Sequence, residues 1–419
     1  MLFFDLLYAL ALILCLPRWI KVLLKKEYRT LIKHRLIPEI QPSASPRLWI
    51  HAVSIGEARS LKSLITQLSQ IYNHTEIVLS VSTPTGYEMA KKDYPDITVI
   101  NAPVDFSFTI RAFIKRINPK LLVLNELEIW PNWVRLVHRN RIPILLINGR
   151  ISEKAFHRYK QWLFVFKPFF RKIDHYLVQA RIYKDRFEQL HIPSEKITIC
   201  GNIKADEAFD RLSALPSDSE ISDYLGINPA GRKIVILAST HPQDDDQWIP
   251  VIPQTGNRFL FILFPRQLDR IPEIEKRLEH HRVPFSTWSK NRAMPHKTDH
   301  TESVLIFDQI GYLFNALKIA DIVGMGGTFD PKTGGHNFYE PAVLGKWIIG
   351  GPHYNNFPEI GKELINRGVY YPAQNAADLL QKLLQTETIN WDRIRQDAVE
   401  AVSERRGSIS CTIKKIQGY

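Results

Sequence analysis

Glu57 is a candidate for proton transfer because of where it falls in the chain. It closes the run His51-Ala-Val-Ser-Ile-Gly-Glu57, where the predicted strand 48–53 gives way to a helix. A carboxylate in the first helical turn after a strand can deprotonate a hydroxyl group bound at the edge of the sheet. Ser54 and Glu57 also have the Ser-x-x-Glu spacing of a capping box, which needs no ligand. From these residues alone, both interpretations of Glu57 are open.

More carboxylates and a lysine follow later strands of the same half of the chain. Glu126 and Glu128 come directly after the apolar strand 121–125, and a carboxylate buried there must be paired or functional. Glu126 could orient a cation or a sugar hydroxyl, or form a salt bridge that closes the strand. Lys204, in the run Gly-Asn-Ile-Lys-Ala-Asp, could neutralise a leaving phosphate, although a single lysine is more often simply solvated.

The stretch 324–357 is predicted to hold a phosphate. It reads as a strand ending in glycines, a loop, a helix that begins within 336–339, and a second strand at 346–349. A helix that starts after glycines brings free backbone N–H groups and the positive end of a helix dipole to one point. An anionic group can bind there.

Asn337 and Glu340, at the start of that helix, allow two interpretations. Asn337 could cap the helix with Glu340 folded back on it, which involves no ligand. Alternatively, the carboxylate of Glu340 could accept hydrogen bonds from the two hydroxyls of a ribose while the helix start holds the phosphate. The pair Gly334-Gly335 favours the second interpretation, because a cap alone does not require a backbone without side chains.

Polar residues also follow other predicted strands of the second half. Arg266 at a strand end suits bidentate binding of phosphate or carboxylate, although a surface arginine is an equal alternative. The convergence of several polar strand ends predicts one binding site. The runs are Ser239-Thr240-His241, Pro265-Arg266 and Asp308-Gln-Ile-Gly311-Tyr312.

The elements that must position these residues follow an α/β pattern. Apolar strands alternate with helical stretches, which predicts two doubly wound, Rossmann-like domains with ligands at the carboxyl ends of the strands and a site in the cleft between them. The predicted strands are 48–53, 77–81, 121–125, 144–147 and 176–178, then 234–238, 260–264, 304–307, 321–325 and 347–349.

The predicted boundaries follow changes of composition. The first domain is 47–211 and the second is 231–419, with the polar, turn-rich stretch 212–230 as the linker and the last helix as a candidate to return to the first domain. Residues 1–40 are predicted to be a membrane anchor or basic amphipathic segment.

The amino-terminal segment has an apolar run of eleven residues, 6–16, which is too short to cross a bilayer core alone. Between 18 and 35, seven Lys or Arg residues stand against one acid. This balance favours binding to anionic headgroups and keeps the rest of the chain on the cytoplasmic face of the inner membrane. A helix that packs on its own domain is the alternative.

Composition narrows the function classes. A chain of 419 residues, 45% hydrophobic and 23% charged, is typical of a folded protein with two domains. A net charge of +12 favours an anionic partner: nucleic acid, an anionic membrane or a phosphorylated substrate. The three cysteines, far apart in sequence, predict unpaired thiols. No Gly-x-Gly-x-x-Gly follows the first strand, which disfavours a dinucleotide-dependent dehydrogenase.

Taken together, the motifs resemble the 3-deoxy-D-manno-octulosonic acid (Kdo) transferases of lipopolysaccharide assembly. The resemblance runs almost the length of the chain, through HAVSIGE, STPTG, ELEIWPN, GNIKAD, STH, PR, DQIG, GGHNFYEP and GPHYNNF. It implies a GT-B glycosyltransferase that transfers Kdo from CMP-Kdo to a lipid A precursor with inversion, using neither metal nor cofactor. The implied partners are the CMP-Kdo donor, the lipid acceptor and the anionic membrane surface, and not nucleic acid.

The resemblance also implies roles for individual residues. Glu57 would be the general base, with Glu126 and Lys204 stabilising the transition state. The implied CMP contacts are Pro265, Arg266, Ile310, Gly311, Tyr312, Asn337, Phe338, Tyr339 and Glu340. The chain departs from the family pattern at Gln267, where a histidine is usual, and at Tyr312, where a glutamate is usual. A GT-B enzyme using another nucleotide sugar and a non-catalytic, membrane-bound carbohydrate-binding protein are the alternatives.

Overall fold

Alternating strands and helices build one parallel β-sheet in each half of the chain. In this computed structural model, residues 4–10, 13–14, 26–292 and 302–419 are described. By its internal contacts the chain divides into a first unit, Met1–Glu207 with Arg406–Tyr419, and a second unit, Ala208–Arg405. The predicted linker, 212–230, takes in the end of one helix and the whole of another, Asp218–Leu225.

Within the described residues, the sheet of the first unit has seven strands, and every neighbouring pair is parallel. Its strands are β1 (Arg47–Ala52), β2 (Ile77–Val81), β3 (Thr98–Asn101), β4 (Pro119–Asn125), β5 (Ile144–Gly149), β6 (His175–Val178) and β7 (Ile197–Ile199). Their spatial order is β3-β2-β1-β4-β5-β6-β7, so the chain reverses its direction of growth between β3 and β4.

Up to residue 213, and besides the helical residues 4–10, one described helix precedes β1, others lie between the strands, and one follows β7. Several begin where the sequence provides a cap: the side-chain oxygens of Ser54, Thr83 and Ser152 each accept from the backbone N–H three residues on. The helices are Lys26–Leu36, Ile55–Ser60, Lys62–Ile71, Pro84–Asp93, Ser107–Ile117, Pro131–Arg139, Glu153–Gln161, Leu163–Phe170, Arg181–Gln189 and Ile203–Ser213.

The second unit repeats the architecture. In the part of the chain that the structure describes, its sheet also has seven parallel strands. They are β8 (Lys233–Thr240), β9 (Phe259–Pro265), β10 (Phe285–Thr287), β11 (Val304–Ile306), β12 (Ile322–Met325), β13 (Trp347–Gly350) and β14 (Tyr370–Pro372), in the order β10-β11-β9-β8-β12-β13-β14. The remaining helices are Asp218–Leu225, Pro242–Trp248, Ile271–His280, Trp288–Arg292, Leu313–Ile319, Tyr339–Val343, Pro358–Asn366, Ala376–Leu384, Trp391–Ser403 and Ser408–Gln417.

The prediction of two doubly wound α/β domains is confirmed. Each strand expected from the sequence forms, because its apolar run is buried on both faces of a parallel sheet. Strands β3, β7, β10 and β14 were missed, and these are the outer strands of the two sheets as described. They have three or four residues each and expose part of their length, so they lack the continuous apolar signal.

Side chains of β1 show how each sheet divides the core. Trp49 enters one cluster, where its ring stacks with Phe113 and contacts Trp133. Its neighbours Leu48 and Ile50 enter the cluster on the opposite face, since successive strand residues point to opposite sides. Each such fully buried side chain stabilises the fold by roughly 1.5–3 kcal/mol relative to exposure. The sheet is therefore a rigid platform for its strand ends.

The last helix, Ser408–Gln417, belongs to the first unit. Both carboxylate oxygens of Asp206 accept from its first backbone N–H groups, those of Gly407 and Ile409, at 2.8 Å each. A disulfide bond joins Cys200 to Cys411 in the same unit. The prediction of unpaired thiols is therefore wrong for these two cysteines, which lie 211 residues apart in sequence.

The amino-terminal segment packs on the first unit where it is described. Residues 4–10 are helical, and Asp5 accepts from the backbone N–H of Ser107 at 2.9 Å and from Asn132 Nδ2 at 3.0 Å. The opposite side of this helix exposes Leu6, Leu7 and Leu10. The predicted anchor, 1–40, lies in part outside the described residues, at 1–3, 11–12 and 15–25. Within the described part of the chain, no helix is both long and apolar enough to span a bilayer.

Candidate active site

Glu57 lies at the carboxyl end of β1, in the third position of the helix Ile55–Ser60. Ser54 caps this helix by accepting from the Glu57 N–H at 3.4 Å. The Glu57 carboxylate reaches past Ser54: its Oε2 accepts from the Val53 N–H at 3.0 Å and faces Asn125 Nδ2, at the end of β4, at 3.5 Å. The side chain thus caps the helix start and is also oriented by the neighbouring strand.

The electrostatic surroundings of Glu57 make it a weak acid. Burial raises its pKa, and the negative charges of Glu126 and Glu128 raise it further, to about 7. The hydrogen bonds from Val53 and Asn125 oppose the shift without cancelling it. A carboxyl with a pKa near neutrality can both take and release a proton under physiological conditions, as a general base must.

Glu126 follows β4 in a backbone conformation rare for its residue type. Its φ is 59°, in the left-handed region, which costs roughly 1–3 kcal/mol for a residue other than glycine. Its carboxylate accepts from Arg150 Nε at 2.8 Å, and the Glu126 side chain is 18% exposed. The salt bridge considered from the sequence is therefore present. Its partner Arg150, which follows β5, was not identified from the sequence.

Lys204 lies at the same edge of the first sheet, in the first turn of the helix Ile203–Ser213. Asn202 Oδ1 accepts from its backbone N–H at 3.0 Å. Asn202 Nδ2 donates in turn to Gln179 Oε1, and Gln179 Nε2 donates to the carbonyl of Asn148, both at 3.0 Å. This chain of amides follows β5, β6 and β7 and fixes the backbone from which the half-buried Lys204 side chain extends.

Gly86 gives the STPTG motif a structural role. A Cβ at this position would lie 3.2 Å from the backbone nitrogen of Ile55 and 2.9 Å from Val81 Cγ1. Only glycine lets the helix Pro84–Asp93 approach the loop that carries Glu57 so closely. The polar strand end predicted after β2 therefore supports the Glu57 loop from the adjacent strand.

In the second unit, the buried carboxylate of Asp244 organises the glycine loop that follows β12. Asp244 Oδ2 accepts from the N–H groups of Gly327 at 2.6 Å and His241 at 2.8 Å, and its Oδ1 accepts from the Phe329 N–H at 3.2 Å. Burial raises the pKa of Asp244, with these hydrogen bonds opposing it. Asp244 was missed from the sequence, although the His-x-x-Asp spacing of its capping box with His241 was a usable signal.

The glycine pair at 334 and 335 is required by packing between loops. Both residues have positive φ, 65° and 83°. A Cβ at Gly334 would lie 3.2 Å from the backbone of Asn355 and Asn356, and one at Gly335 would lie 3.0 Å from the ring of Phe338. The pair therefore no longer favours a ligand over a cap, because packing against Asn355, Asn356 and Phe338 already requires glycine at both positions.

The helix expected to begin within 336–339 is Tyr339–Val343, so it starts at the last of those positions. Asn337 Oδ1 accepts from the Tyr339 N–H at 3.2 Å, so Asn337 supports the helix start. Glu340 does not fold back on Asn337. Its Oε1 accepts from Arg211 Nη1 at 2.5 Å, a partner that the sequence did not indicate. The Arg211 guanidinium also lies 3.9 Å from the centre of the Phe314 ring.

The two arginines near the end of β9 have different surroundings. Arg266 is exposed after Pro265, and its backbone N–H donates to the Thr240 carbonyl at 3.1 Å. Arg270 is buried, pairs with the carboxylate of Asp245 and donates from Nη1 to the same Thr240 carbonyl at 3.1 Å. Arg270 is therefore committed to the fold, whereas the Arg266 side chain is accessible to a ligand.

The run Ile310-Gly311-Tyr312 follows β11 and combines an accessible turn with a packed aromatic ring. Ile310 is 78% exposed, and Gly311 has a φ of 102°. The Tyr312 ring contacts Trp288 and Phe307, with ring centres 5.4 and 5.5 Å away. Tyrosine at this position, where the family pattern has glutamate, therefore serves packing within the unit.

Each unit thus gathers its candidate residues at the carboxyl ends of its own strands. Glu57, Glu126 and Lys204 do so in the first unit, and Arg266, Gly311 and Asn337–Glu340 follow β9, β11 and β12 in the second. Among the described residues, no group of three or more His, Cys, Asp or Glu side chains is arranged to hold a metal ion.

Comparison with solved structures bears on the fold. UDP-GlcNAc 2-epimerase from Neisseria meningitidis superposes on this chain with a TM-score of 0.64 at 12% identity. The superposition covers 90% of this chain and 100% of the epimerase chain. A glycosyltransferase from Rickettsia africae covers 89% of this chain and 98% of its own with a TM-score of 0.59 at 15% identity. The predicted GT-B class of two parallel α/β domains is confirmed.

Sequence comparison bears on the family. A family model described as 3-deoxy-D-manno-octulosonic-acid transferase (kdotransferase) matches residues 29–207. A bifunctional glycosyltransferase/methyltransferase of Fusobacterium nucleatum is 31% identical over 94% of this chain, which spans only 60% of that relative's length. The 3-deoxy-D-manno-octulosonic acid transferase of Chlamydia pneumoniae is 30% identical over 100% of this chain and 96% of its own. This match over the whole of this chain and nearly all of the relative confirms the resemblance drawn from the motifs, and the chain belongs to the family of Kdo transferases, glycosyltransferases of lipopolysaccharide biosynthesis.

Proposed function

We propose that this protein transfers Kdo from CMP-Kdo to a hydroxyl group of the lipid A precursor lipid IVA, with inversion at the anomeric carbon. The observation that carries the proposal is the environment of Glu57. Its carboxylate is oriented by the Val53 N–H, just after β1, and by Asn125 at the end of β4, and its pKa is raised to about 7. A base of this strength matches the deprotonation of an alcohol during its attack.

In the proposed reaction, Glu57 takes the proton of the acceptor hydroxyl as its oxygen attacks the anomeric carbon of Kdo. The bond from that carbon to the phosphate oxygen breaks on the opposite face, and CMP leaves. Negative charge grows on the phosphate, so Lys204 would stabilise the transition state as a fixed cation. Glu126, held by Arg150, would stabilise positive charge on the sugar ring and keeps the pKa of Glu57 high.

The proposed donor site lies in the second unit. Glu340 would accept from the ribose hydroxyls with its orientation maintained by Arg211, and the exposed Arg266 would bind the phosphate. At Tyr312 only the backbone is assigned to CMP, because the ring is occupied with Trp288 and Phe307. The full proposed set of CMP contacts is Pro265, Arg266, Ile310, Gly311, Tyr312, Asn337, Phe338, Tyr339 and Glu340.

The proposed location is the cytoplasmic face of the inner membrane. The lipid acceptor resides there, and a chain with a net charge of +12 is attracted to anionic headgroups and to the phosphates of lipid IVA. Leu6, Leu7 and Leu10 are more than 49% exposed on the amino-terminal helix, so they are available to insert among lipids.

A product assay tests the function directly. Purified protein is incubated with CMP-Kdo and lipid IVA in detergent, and the lipid is analysed by mass spectrometry. The expected result is a lipid enlarged by one or more Kdo residues, with CMP released in equal amount. Parallel reactions with UDP-sugars serve as controls. Transfer from a UDP-sugar with none from CMP-Kdo, or CMP release without a lipid product, would overturn the proposal.

A further inference from the structure

Two histidines of the second unit face each other through their Nε2 atoms. His241 follows β8, and His336 lies between Gly335 and Asn337, just before the helix Tyr339–Val343. Their Nε2 atoms are 2.9 Å apart, and their rings are nearly parallel, with an interplanar angle of 15°. Neither side chain belongs to the proposed catalytic residues or CMP contacts.

The distance between the Nε2 atoms dictates how protons are shared. A neutral imidazole carries one N–H, and two ring nitrogens at 2.9 Å form a hydrogen bond only if one is protonated and the other presents its lone pair. If the accepting nitrogen also gained a proton, two N–H groups would face each other and repel. The same two N–H groups could then donate together to one negatively charged oxygen.

The backbone around the pair is fixed. The His241 N–H donates to the buried carboxylate of Asp244, which also binds the Gly327 N–H. Gly327 has a φ of 72°, and a Cβ there would lie 3.3 Å from the His336 ring. The Gly335 N–H donates to the Gly327 carbonyl at 2.8 Å. The loop carrying His336 is therefore held against the strand end carrying His241, and the backbone fixes the position of both histidines.

Charged groups of both signs surround the pair and shift the pKa of His241. Burial lowers the pKa of His241, and the positive charges of Arg270 and Arg266 lower it further, while Asp330 and Asp245 oppose them. Asp245 is already paired with Arg270, and Asp330 accepts from Thr333 Oγ1 at 2.6 Å. Without a ligand these surroundings therefore disfavour protonation of His241, and an anion bound beside the pair would favour it.

We propose that His241 and His336 form a proton-linked anion site for the nucleotide-sugar donor. As an anionic oxygen of the donor arrives, the pair takes up one proton from solvent. The hydrogen bond between the Nε2 atoms is lost, and two N–H groups donate to the oxygen instead. The oxygen belongs to the phosphate or to the sugar carboxylate, both of which are anionic in CMP-Kdo. This inference rests on the proposed function for the identity of the donor.

Calorimetry tests the proton uptake. CMP is titrated at pH 8 in buffers of different ionisation enthalpy; at this pH the phosphate, whose second pKa is about 6, is already a dianion. The expected result is an uptake approaching one proton per CMP bound. If CMP shows none while CMP-Kdo does, the carboxylate is the bound group. Cytidine, which has no anionic group, should cause no uptake; equal uptake with cytidine, or none with either anionic ligand, overturns the inference.

Variants separate proton linkage from structure. Glutamine can place an N–H near the position of Nε2 but does not titrate, so His336→Gln should bind CMP within a few-fold of wild type without taking up a proton. His280→Gln, at an exposed position on the helix Ile271–His280, is the matched control and should behave as wild type. Full proton uptake in both His336→Gln and His241→Gln would contradict the inference.

The pH dependence of CMP affinity gives a second readout. Uptake of one proton on binding makes the affinity fall by about tenfold per pH unit between pH 7 and 9, as linkage requires. His336→Gln should flatten this dependence. If Kdo transfer occurs while binding of neither CMP nor CMP-Kdo is linked to protons, only the present inference fails. If CMP binding is proton-linked but no Kdo is transferred, the proposed function fails and the anion site remains.

Discussion

The guanidinium of Arg211 holds the carboxylate of Glu340, with 2.5 Å between Nη1 and Oε1, although 129 residues separate the two in sequence. Arg211 is itself oriented by the Phe314 ring, whose centre is 3.9 Å from the guanidinium carbon. The carboxylate proposed to bind ribose is therefore fixed before any nucleotide arrives. A pre-oriented acceptor loses less conformational freedom on binding than a free one does.

Substitution of either residue of this pair should weaken CMP binding, and substitution of Glu340 should weaken it more. Glu340→Ala removes both proposed ribose contacts, and since hydrogen bonds to charged groups contribute about 1.5–3 kcal/mol each, the Kd for CMP should rise at least about tenfold. Arg211→Met retains an apolar contact with Phe314 but frees the carboxylate, so a smaller rise is expected. Calorimetry measures both. Arg393→Met, in an exposed ion pair with Asp397, is the control. Unchanged affinity in Glu340→Ala would refute the ribose assignment.

Glu57→Gln should separate binding from catalysis. Glutamine keeps the size and an oxygen acceptor for the Val53 N–H but cannot take a proton, and general bases contribute about 10²- to 10⁴-fold to rates. The rate of Kdo transfer should fall within that range while the Kd for CMP stays within twofold of wild type. Glu88→Gln, at an exposed helical position, should retain full activity. The base assignment is wrong if Glu57→Gln transfers Kdo at the wild-type rate.

The pH dependence of transfer should follow the ionisation of Glu57. Because burial and the charges of Glu126 and Glu128 raise its pKa to about 7, the active carboxylate form increases as pH rises. The rate at pH 6 should therefore be about a tenth of its plateau above pH 8. Glu128→Gln removes a like charge, which favours the ionised form of Glu57 and should move the midpoint to lower pH. Glu153→Gln, on an exposed side chain, should leave it in place. A midpoint that does not respond to Glu128→Gln contradicts this account.

Gly326→Ala should destabilise the second unit. A Cβ at this position would lie 2.2 Å from the carbonyl oxygen of Ser239 and 2.6 Å from that of Ala238, so the loop after β12 must move away from β8. Overpacking of this kind costs about 1–3 kcal/mol or more, and calorimetric unfolding should occur at a lower temperature. Gly56→Ala is the matched control, since its Cβ would meet nothing closer than 3.9 Å and favours the helix. Equal melting of the two variants would contradict the packing argument.

The features that could be predicted from the sequence are those determined by residues close together along the chain. The strands β1, β4, β8 and β9 are buried on both faces, so their apolar runs indicate them directly. Glu57 was found because the strand, the capping Ser54 and the helix start are all local. The outer strand β7 was missed because two of its three residues are exposed, and among the described strands it pairs with β6 alone.

What could not be predicted depends on contacts between distant residues. The sequence around Glu340 does not indicate that it pairs with Arg211, and the sequence around Cys200 does not indicate a disulfide bond with Cys411. The pairing of Glu126 with Arg150 requires two strands to be neighbours, and the left-handed backbone at Glu126 has no signature in its residue type. Gly334 and Gly335 were attributed to a ligand because their contacts with Asn355 and Phe338 exist only in the folded loops.

The return of the last helix to the first unit affects how the protein is made. Ile409 and Ile416 are 3% and 1% exposed in the same cluster as Leu48 and Ile50, and Asp206 binds the start of their helix. During translation, the first unit therefore lacks part of its interior until residues 406–419 have been synthesised, by which time the whole of the second unit has been made. Loss of residues 406–419 would accordingly damage the unit that carries Glu57 rather than the unit that they follow in sequence.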